Sequence, residues 1–250
     1  MTNNNMIFVA NWKMHGNFND ISKVKTVLNL IKNKKFKKIK VIYCPPFTLL
    51  QSFSNFFKNT KFCTGAQNCH YKNEYGPYTG NINAKLIKST GAKYIILGHS
   101  ENRNEGETDI LINQKIKSAL KEKLKIIFCI GETKAEKKKK ITFQVLKKQL
   151  SRGLKNIKKT NKILIAYEPV WSIGSGIVPS KEELENNLKN IKKILRECNF
   201  KNTIKILYGG SVNPKNANEI SKIDGIGGLL IGGASLNSKK FIDIIKKSSN

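Results

Sequence analysis

Residues 162–179 read KILIAYEPVWSIGSGIVP, and this stretch determines how the rest of the chain can be arranged. It begins as an apolar run of the length expected for a buried strand, and the run stops at one carboxylate, Glu168. Pro169 cannot donate a hydrogen bond to a sheet, and the Gly-Ser-Gly that follows favours neither strand nor helix. We therefore predict that the strand delivers a candidate base to the start of a loop of about ten residues.

The far end of this loop is anchored by a predicted helix. Ser180 is a favoured N-cap residue, and Glu183 stands three positions later, which is the spacing of a capping box. A loop held at both ends and free in its middle is typical of a lid that closes over a reacting group. The residues assigned to the two ends of this lid are Pro169, Val170, Trp171, Ile177, Val178 and Pro179.

The same strand-and-helix unit recurs on both sides of this stretch. Apolar runs of strand length occupy residues 6–10, 39–44, 61–68, 93–97, 125–130, 162–167, 204–208 and 228–231. Amphipathic helices are predicted between them, the first marked by Ile21, Val24, Val27, Leu28 and Ile31, the fifth by Phe143, Leu146, Leu150, Leu154 and Ile157, and the sixth by Leu184, Leu188, Ile191 and Leu195. This pattern predicts an α/β protein, a (β/α)8 barrel of eight parallel strands with outer helices, rather than a doubly wound sheet. We expect residues 1–250 to form a single barrel domain.

Polar residues of catalytic types follow the carboxyl ends of three predicted strands. Asn11 and Lys13 follow the first, His99 and Glu101 the fourth, and Glu168 the sixth. The carboxyl ends of barrel strands meet at one face, where active sites of this architecture lie, so we expect these side chains to converge. Each also has a structural interpretation, because a lone carboxylate can simply pair with a cation and a lone histidine can be a satisfied buried group.

Two glycine pairs follow the last two predicted strands. They are Gly209-Gly210, followed by Ser211, and Gly232-Gly233. Glycine lets backbone N–H groups approach an anion closely, and barrels commonly bind phosphate at these two loops. Tight-turn geometry is the alternative explanation, because turns also require glycine.

The formal net charge is +29, which at first indicates a nucleic-acid or anionic-surface partner. Only Arg103, Arg152 and Arg196 are arginine, however, and the other basic residues are lysine. Surfaces that grip phosphates or read bases favour arginine. Lysine, asparagine and isoleucine are all encoded by AT-rich codons, so we expect no nucleic-acid partner and place the basic runs at 32–38 and 137–140 on solvated helix faces.

The five cysteines, an odd number without a CxxC spacing, favour reduced thiols over a disulfide framework or a zinc site. No apolar run reaches the length of a membrane span, and residues 1–5 lack the features of a secretion signal. We therefore expect a cytoplasmic protein with no membrane association.

Five short blocks, taken together, resemble the triosephosphate isomerase family. In chain order they are Asn11-Trp12-Lys13, Gly98-His99-Ser100-Glu101, Ala166-Tyr167-Glu168-Pro169-Val170-Trp171, Tyr208-Gly209-Gly210-Ser211 and Gly232-Gly233-Ala234-Ser235-Leu236. Each block falls at the expected strand of an eight-strand count. The resemblance implies isomerisation of a triose phosphate through an enediolate, with neither a cofactor nor a metal.

The resemblance also implies a role for each residue. Glu168 would be the base, His99 a neutral imidazole that polarises and shuttles protons between the two substrate oxygens, and Lys13 the source of positive charge. Asn11 would hydrogen-bond the substrate, and Glu101 would orient Lys13. The substrate phosphate would be bound by Gly174, Ser211, Gly232 and Gly233.

The polar excursion at residues 69–80 resembles the loop through which two subunits of this family interlock. Its tip would include Gly76, Tyr78 and Thr79, with Thr79 meeting Asn11 and Glu101 of the partner subunit. The implied assembly is a homodimer in which one subunit completes the site of the other.

Several positions depart from the family pattern. Ser172 replaces a usual alanine, Ser175 a usual threonine, and Ile177-Val178-Pro179 a more polar hinge. Because Pro179 restricts the backbone, we expect altered lid kinetics with unchanged chemistry. Asn81 and Asn102 replace two charged residues, and we expect a neutral contact between them across the interface.

Three alternatives remain beside this interpretation. Another phosphate-binding barrel could share the glycine pairs without the base, and a nucleic-acid-binding barrel could use the lysines. The second predicts lysines clustered with aromatic residues on one face, whereas here lysines recur on every helix. A pseudoenzyme would have lost Glu168, His99 or Lys13, and all three are present.

Overall fold

The computed structural model describes residues 5–36, 38–200 and 204–249. Within these residues the strands are β1 (Ile7–Asn11), β2 (Lys40–Cys44), β3 (Cys63–Ala66), β4 (Tyr94–Leu97), β5 (Lys125–Ile130), β6 (Ile163–Tyr167), β7 (Ile206–Tyr208) and β8 (Ile226–Ile231). Neighbouring strands pair in parallel and in chain order, and β8 pairs with β1 to close the barrel. The prediction of a (β/α)8 barrel is confirmed.

The helices of the described residues surround this barrel and pack against its outer side chains. They are α1 (Asp20–Lys23), α2 (Lys25–Ile31), α3 (Leu50–Phe56), α4 (Ala84–Ser89), α5 (Ser100–Asn104), α6 (Asp109–Lys121), α7 (Lys134–Lys138), α8 (Thr142–Gly153), α9 (Lys181–Glu197), α10 (Ala217–Ser221) and α11 (Ser238–Ser248). Short 3-10 turns occupy Lys34–Phe36, Phe47–Leu49, Val170–Ser172 and Gly233–Leu236.

The first predicted helix is divided in two, which the apolar periodicity did not indicate. At Val24 the N–H group bonds to the carbonyl of Ile21, three residues back, at 3.2 Å. This bond tightens the turn and separates α1 from α2. Val24 and Val27 nevertheless remain buried, so the apolar stripe stays continuous across the break.

The fifth predicted helix, α8, is shorter than the sequence pattern indicates. It ends at Gly153, where a Cβ atom would lie only 2.3 Å from the ring of Phe128 in the barrel wall. Beyond it, Asn156 adopts a positive φ of 58°, which ends helical geometry before Ile157. Ile157 still packs against the core, although from a turn rather than from the helix.

The helix that follows the lid, α9, begins where the sequence predicts. The Ser180 hydroxyl accepts a hydrogen bond from the Glu183 N–H at 3.1 Å. The capping box is incomplete, because the Glu183 carboxylate instead forms an ion pair with Lys137 at 2.7 Å. Lys137 belongs to one of the basic runs that we placed on solvated faces, and its side chain is partly exposed while it forms this ion pair. In the other run, Lys37 lies outside the described residues.

Strand periodicity determines which residues point into the barrel. Side chains inside it include Leu164 and Ala166 of β6, Ile7 and Val9 of β1, Leu207 of β7 and Leu230 of β8. Because side chains alternate between the two faces of a strand, the next inward positions at the carboxyl ends are Glu168, Asn11, Gly209 and Gly232. The fold thus directs three of the predicted site residues, together with Gly209, toward one end of the barrel.

No helix among the described residues is long and apolar enough to cross a membrane.

Candidate active site

A cavity of about 220 Å³ lies at the carboxyl ends of the strands. Its walls include most of the site residues predicted from the sequence: Asn11, Lys13, His99, Glu168, Gly174, Ser211, Gly232 and Gly233. Glu101 does not line the cavity, but its carboxylate contacts the Lys13 ammonium group. Eight residues that are scattered along the chain therefore meet around one small space.

The position of Glu168 depends on two glycines on neighbouring strands. The Glu168 N–H bonds to the carbonyl of Ile130 at 2.7 Å, which continues the pairing of β5 with β6. A Cβ atom on Gly131 would lie 1.8 Å from the Glu168 carbonyl oxygen, and one on Gly209 would lie 2.7 Å from the Glu168 Cγ atom. Both glycines are thus required by the close approach of Glu168.

Burial raises the pKa of the Glu168 carboxyl group above its ordinary value. The side chain is almost fully enclosed, which disfavours its charged form. His99, the Cys129 thiol, Lys13 and the Ser100 N–H group stabilise the charged form and partly oppose this effect. A carboxylate with a raised pKa is a stronger proton acceptor than an exposed one, which is the property that a general base needs.

His99 faces Glu168 across the cavity, with 3.4 Å between His99 Nε2 and Glu168 Oε1. The histidine is the N-cap residue of α5, and its Nδ1 atom accepts a hydrogen bond from the Glu101 N–H at 3.3 Å. Because Nδ1 is an acceptor, the neutral ring carries its proton on Nε2. The imidazole is therefore oriented to donate a hydrogen bond into the cavity.

Lys13 is held in an unusual backbone conformation, with a φ of 52°. Its N–H group bonds to Asn11 Oδ1 at 3.1 Å, and its carbonyl accepts a bond from Gln67 Nε2 at 2.8 Å. Its Nζ atom lies 2.5 Å from Glu101 Oε1, which holds the ammonium group at the cavity wall. The predicted pairing of Glu101 with Lys13 is thus present in the geometry.

The predicted lid lies over the cavity in this structure. Pro169 and Pro179 at its ends are buried, whereas residues 174–177 are exposed. Ile173 and Gly174 line the cavity, and the Gly176 N–H donates to Ser211 Oγ at 3.1 Å. The lid is therefore anchored at both ends, and its middle contacts the barrel through only a few bonds.

The outer side of the lid is held by contacts that the sequence analysis missed. Trp171 Nε1 donates to Glu132 Oε1 at 2.7 Å, and Lys137 Nζ lies 3.4 Å from the centre of the Trp171 ring system. Glu132 is fully buried and also accepts a bond from the Tyr167 hydroxyl at 3.1 Å. Burial raises its pKa. The sequence did offer one indication of a role for Glu132. It follows a strand, β5, as the predicted polar site residues follow other strands.

Two further supporting residues, Gln67 and Cys129, were also missed. Gln67 Nε2 bonds to the carbonyl oxygens of both Lys13 and Cys44, at 2.8 Å each, and so ties the ends of β1 and β2 together. Cys129 lies on the inward face of β5, and its thiol lowers the pKa of Glu168, which partly opposes the effect of burial. All five cysteines are unpaired, as the sequence predicts.

The glycine pairs divide into two kinds. None of Gly209, Gly210, Gly232 and Gly233 has a positive φ, so a left-handed turn does not explain them. Gly209 leaves room for the Glu168 side chain, whereas a Cβ atom on Gly233 would meet nothing within 4 Å. Gly233 begins the 3-10 turn Gly233–Leu236, whose first residues line the cavity. Packing within the protein therefore explains Gly209 and Gly210. At Gly233 there is open space next to the cavity, where backbone N–H groups can bind an anion.

The residues of the predicted dimer loop do not join this cavity. Residues 74–81, which include Gly76, Tyr78 and Thr79, are exposed. The base of the loop is ordered by the Asn83 side chain, which bonds to the Asn73 and Glu74 carbonyl oxygens at 2.9 and 3.2 Å. The loop therefore has an ordered base, and its tip projects from the barrel and is exposed in the described chain.

A larger cleft of about 670 Å³ lies between α2 and the segment that follows α3. Its described lining contains four lysines and an apolar floor that includes Leu28 and Phe62, without a carboxylate or an imidazole. It offers no acid–base pair, so the smaller cavity is the candidate active site. Among the described residues, no group of His, Cys, Asp and Glu side chains is arranged to hold a metal ion.

Comparison with known proteins gives one consistent result. A sequence model of the family described as triosephosphate isomerase matches residues 6–248. Triosephosphate isomerase of Thermodesulfovibrio yellowstonii is 39% identical over 242 residues, 95% of this chain and 97% of that protein. The enzyme of Alkaliphilus oremlandii is 40% identical over 247 residues, 96% of this chain and 98% of that protein. The crystal structure of triosephosphate isomerase from Bartonella henselae superposes with a TM-score of 0.87 at 33% identity, covering 97% of this chain and 98% of that one.

Proposed function

Because the chain belongs to the triosephosphate isomerase family, we propose that the residues around this cavity carry out the family's reaction. The chain is an isomerase that interconverts dihydroxyacetone phosphate and D-glyceraldehyde 3-phosphate, a step of glycolysis. What remains to be assigned is the role of each side chain, the assembly and the cellular compartment.

Glu168 is the base in this proposal. It removes a proton from the carbon next to the substrate carbonyl, and, after exchange of this proton with solvent, it protonates the neighbouring carbon. Its burial and raised pKa support the role, because a desolvated carboxylate gains more from accepting a proton than a solvated one. The single observation that carries the proposal is its position in the cavity wall, 3.4 Å from His99 Nε2.

His99 acts on the oxygens of the substrate while Glu168 acts on its carbons. As a neutral imidazole with its proton on Nε2, it donates to the carbonyl oxygen and stabilises the enediolate. Triosephosphate isomerase is itself the standard example of a glutamate base paired with a neutral histidine electrophile. The two side chains stand close enough to reach adjacent atoms of one small ligand.

Lys13 and Asn11 supply the remaining polar contacts. The Lys13 ammonium group stabilises negative charge on the enediolate and the phosphate, and Glu101 holds it in place without touching the substrate. Asn11 fixes the Lys13 backbone through its Oδ1 atom and keeps its amide N–H groups for the substrate oxygens.

The phosphate is bound, in this proposal, by backbone N–H groups at Gly174, Gly232 and Gly233 together with the region of Ser211. All four line the cavity, and the turn at Gly233 leaves open space for an anion. The lid residues Ile173 and Gly174 close over this space. The closed lid would exclude water and hold the enediolate in plane, and the planar arrangement would suppress loss of its phosphate group.

We also propose a homodimeric, cytoplasmic protein formed by one barrel domain. The exposed loop tip carries Tyr75 and Tyr78, which are 65% and 37% exposed, and Met14 near the cavity is 94% exposed. Large exposed apolar side chains of this kind are typical of interfaces. Five unpaired cysteines suit a reducing compartment.

Isomerisation in D2O tests the base mechanism directly. If Glu168 removes a proton that then exchanges with solvent, the product should carry deuterium at the carbon that Glu168 protonates. Proton NMR of the product detects this deuterium. Complete retention of the substrate hydrogen would indicate an internal hydride shift and would contradict the proposal.

A further inference from the structure

The Ser172 hydroxyl occupies a central position in the closed lid. Ser172 ends the 3-10 turn Val170–Ser172 and is fully buried. Its Oγ atom donates to the Ile177 carbonyl oxygen at 2.6 Å, lies 3.1 Å from the Tyr208 hydroxyl, and accepts a bond from the Ser211 N–H at 3.3 Å. One hydroxyl therefore joins both arms of the lid to the loop after β7.

The number of hydrogen bonds that the Ser172 hydroxyl can donate and accept determines the direction of each bond. A serine hydroxyl has one proton to donate and two lone pairs that accept. Its proton is used by the Ile177 carbonyl, so the Tyr208 hydroxyl must be the donor in their contact. Burial raises the pKa of Tyr208 to about 12, and the phenol therefore keeps its proton at neutral pH. The bonding capacity of Ser172 is completely used.

Gly210 provides independent support, because the contact between the two hydroxyls depends on the absence of a side chain there. A Cβ atom on Gly210 would lie 2.2 Å from the Tyr208 hydroxyl oxygen and 2.6 Å from Ser172 Oγ. Gly210 has a negative φ, so backbone conformation does not require glycine at this position. The space that it leaves is occupied by this hydrogen bond.

We propose that the Ser172 hydroxyl is the latch that holds the lid closed over the bound triose phosphate, and that it acts together with the Tyr208 hydroxyl. Ser172 is a positioning residue, since it reaches the barrel and the lid but does not line the cavity. When the lid swings away from β7, its bonds to Tyr208 and Ser211 are lost together. The inference rests on the proposed function, because a latch has a purpose only if the closed lid protects an intermediate.

The experiment compares Ser172→Ala, Tyr208→Phe and the double variant, with Ser89→Ala as the control. Ser89 is an exposed helix serine whose hydroxyl bonds only to the Leu86 carbonyl, at 2.7 Å. The probe is 2-phosphoglycolate, whose planar carboxylate imitates the enediolate and whose phosphate fits the proposed site beneath the lid. Its affinity, turnover of glyceraldehyde 3-phosphate and release of inorganic phosphate per turnover are measured for each protein.

We expect Tyr208→Phe to bind 2-phosphoglycolate about tenfold more weakly, as the loss of one buried hydrogen bond predicts. Ser172→Ala should bind it more weakly still, because all three bonds of the hydroxyl are lost. The double variant should lose no more than the worse single variant, because the two hydroxyls share one bond. Phosphate release per turnover should rise in all three, an effect that a purely structural role would not produce. Ser89→Ala should match the wild type.

Wild-type affinity and phosphate retention in Ser172→Ala would overturn the proposal, as would fully additive losses in the double variant. If Ser172→Ala does not fold, Tyr208→Phe decides, and its wild-type behaviour would overturn the proposal equally. Wild-type protein that fails to turn over glyceraldehyde 3-phosphate would instead refute the proposed roles in isomerisation. The two failures are therefore distinguishable.

Discussion

Glu168 Oε1 and His99 Nε2 lie 3.4 Å apart, and both side chains are almost completely buried. The strand β6 brings the carboxylate to this point, and the cap of α5 brings the imidazole. In the proposed mechanism, this geometry lets the carboxylate act on carbon and the imidazole act on oxygen of one small ligand.

The Glu168 carboxyl group should titrate above the usual value of 4.5, because burial disfavours its charge. The base is active when deprotonated, so activity should fall as the pH drops through this raised pKa. The phosphate group of the substrate itself titrates at about pH 6, so activity against pH reports two groups, and carbon NMR of the ligand-free protein is the cleaner measurement. The Glu168→Gln variant identifies the resonance, and a midpoint at or below 4.5 would refute the prediction.

Replacing Lys13 with methionine should lower kcat/KM by about 100-fold or more, because a charge aimed at the developing oxyanion is lost. Glu101→Gln should cost less, about tenfold, because Lys13 would remain but lose the 2.5 Å contact that orients it. Lys88→Met on the exposed face of α4 is the matched control. Steady-state kinetics would contradict the assignment if Lys13→Met and Lys88→Met behaved alike.

Lys137 should stabilise the closed lid from outside, since it lies over Trp171 and pairs with Glu183 at the start of α9. A partly exposed cation–π contact is worth about 0.5–1 kcal/mol, so Lys137→Met should raise KM about two- to fivefold. The exposed neighbour Lys138 provides the control substitution Lys138→Met. Equal KM values for the two variants would show that the contact has no part in lid closure.

The loop at residues 74–81 should be part of a dimer interface. Tyr78→Asp would place a charge where an apolar surface is buried, and it should weaken the dimer by about 30-fold or more. Sedimentation velocity at several concentrations measures the association, with Lys88→Asp as the control. A wild-type protein that sediments as a monomer at every concentration would refute the predicted assembly.

Much of this arrangement can be predicted from the sequence because strand periodicity is a strong signal. The inward positions 164 and 166 determine where Glu168 points, and the same alternation places Asn11 and Gly232. The N-cap at Ser180 is equally local, since its partner lies three residues away.

The rest could not be predicted because it depends on contacts between distant parts of the chain. Gln67 reaches the Lys13 carbonyl from 54 residues away, and Glu132 meets Trp171 across 39 residues. The reason for Gly209 is also visible only in three dimensions, since it is the space needed by the Glu168 side chain. The contact of Lys137 with Trp171 likewise joins two segments that are far apart in the chain.

The most direct test of the central claim is the turnover of glyceraldehyde 3-phosphate by wild-type protein and by Glu168→Gln, followed by coupled reduction of the dihydroxyacetone phosphate formed. The substitution keeps the size of the side chain and removes its ability to accept a proton. We predict fast turnover by the wild type and a loss of about 100- to 10,000-fold in kcat for the variant, with unchanged folding by circular dichroism. A folded Glu168→Gln protein that retains wild-type kcat would contradict the assignment of Glu168 as the base.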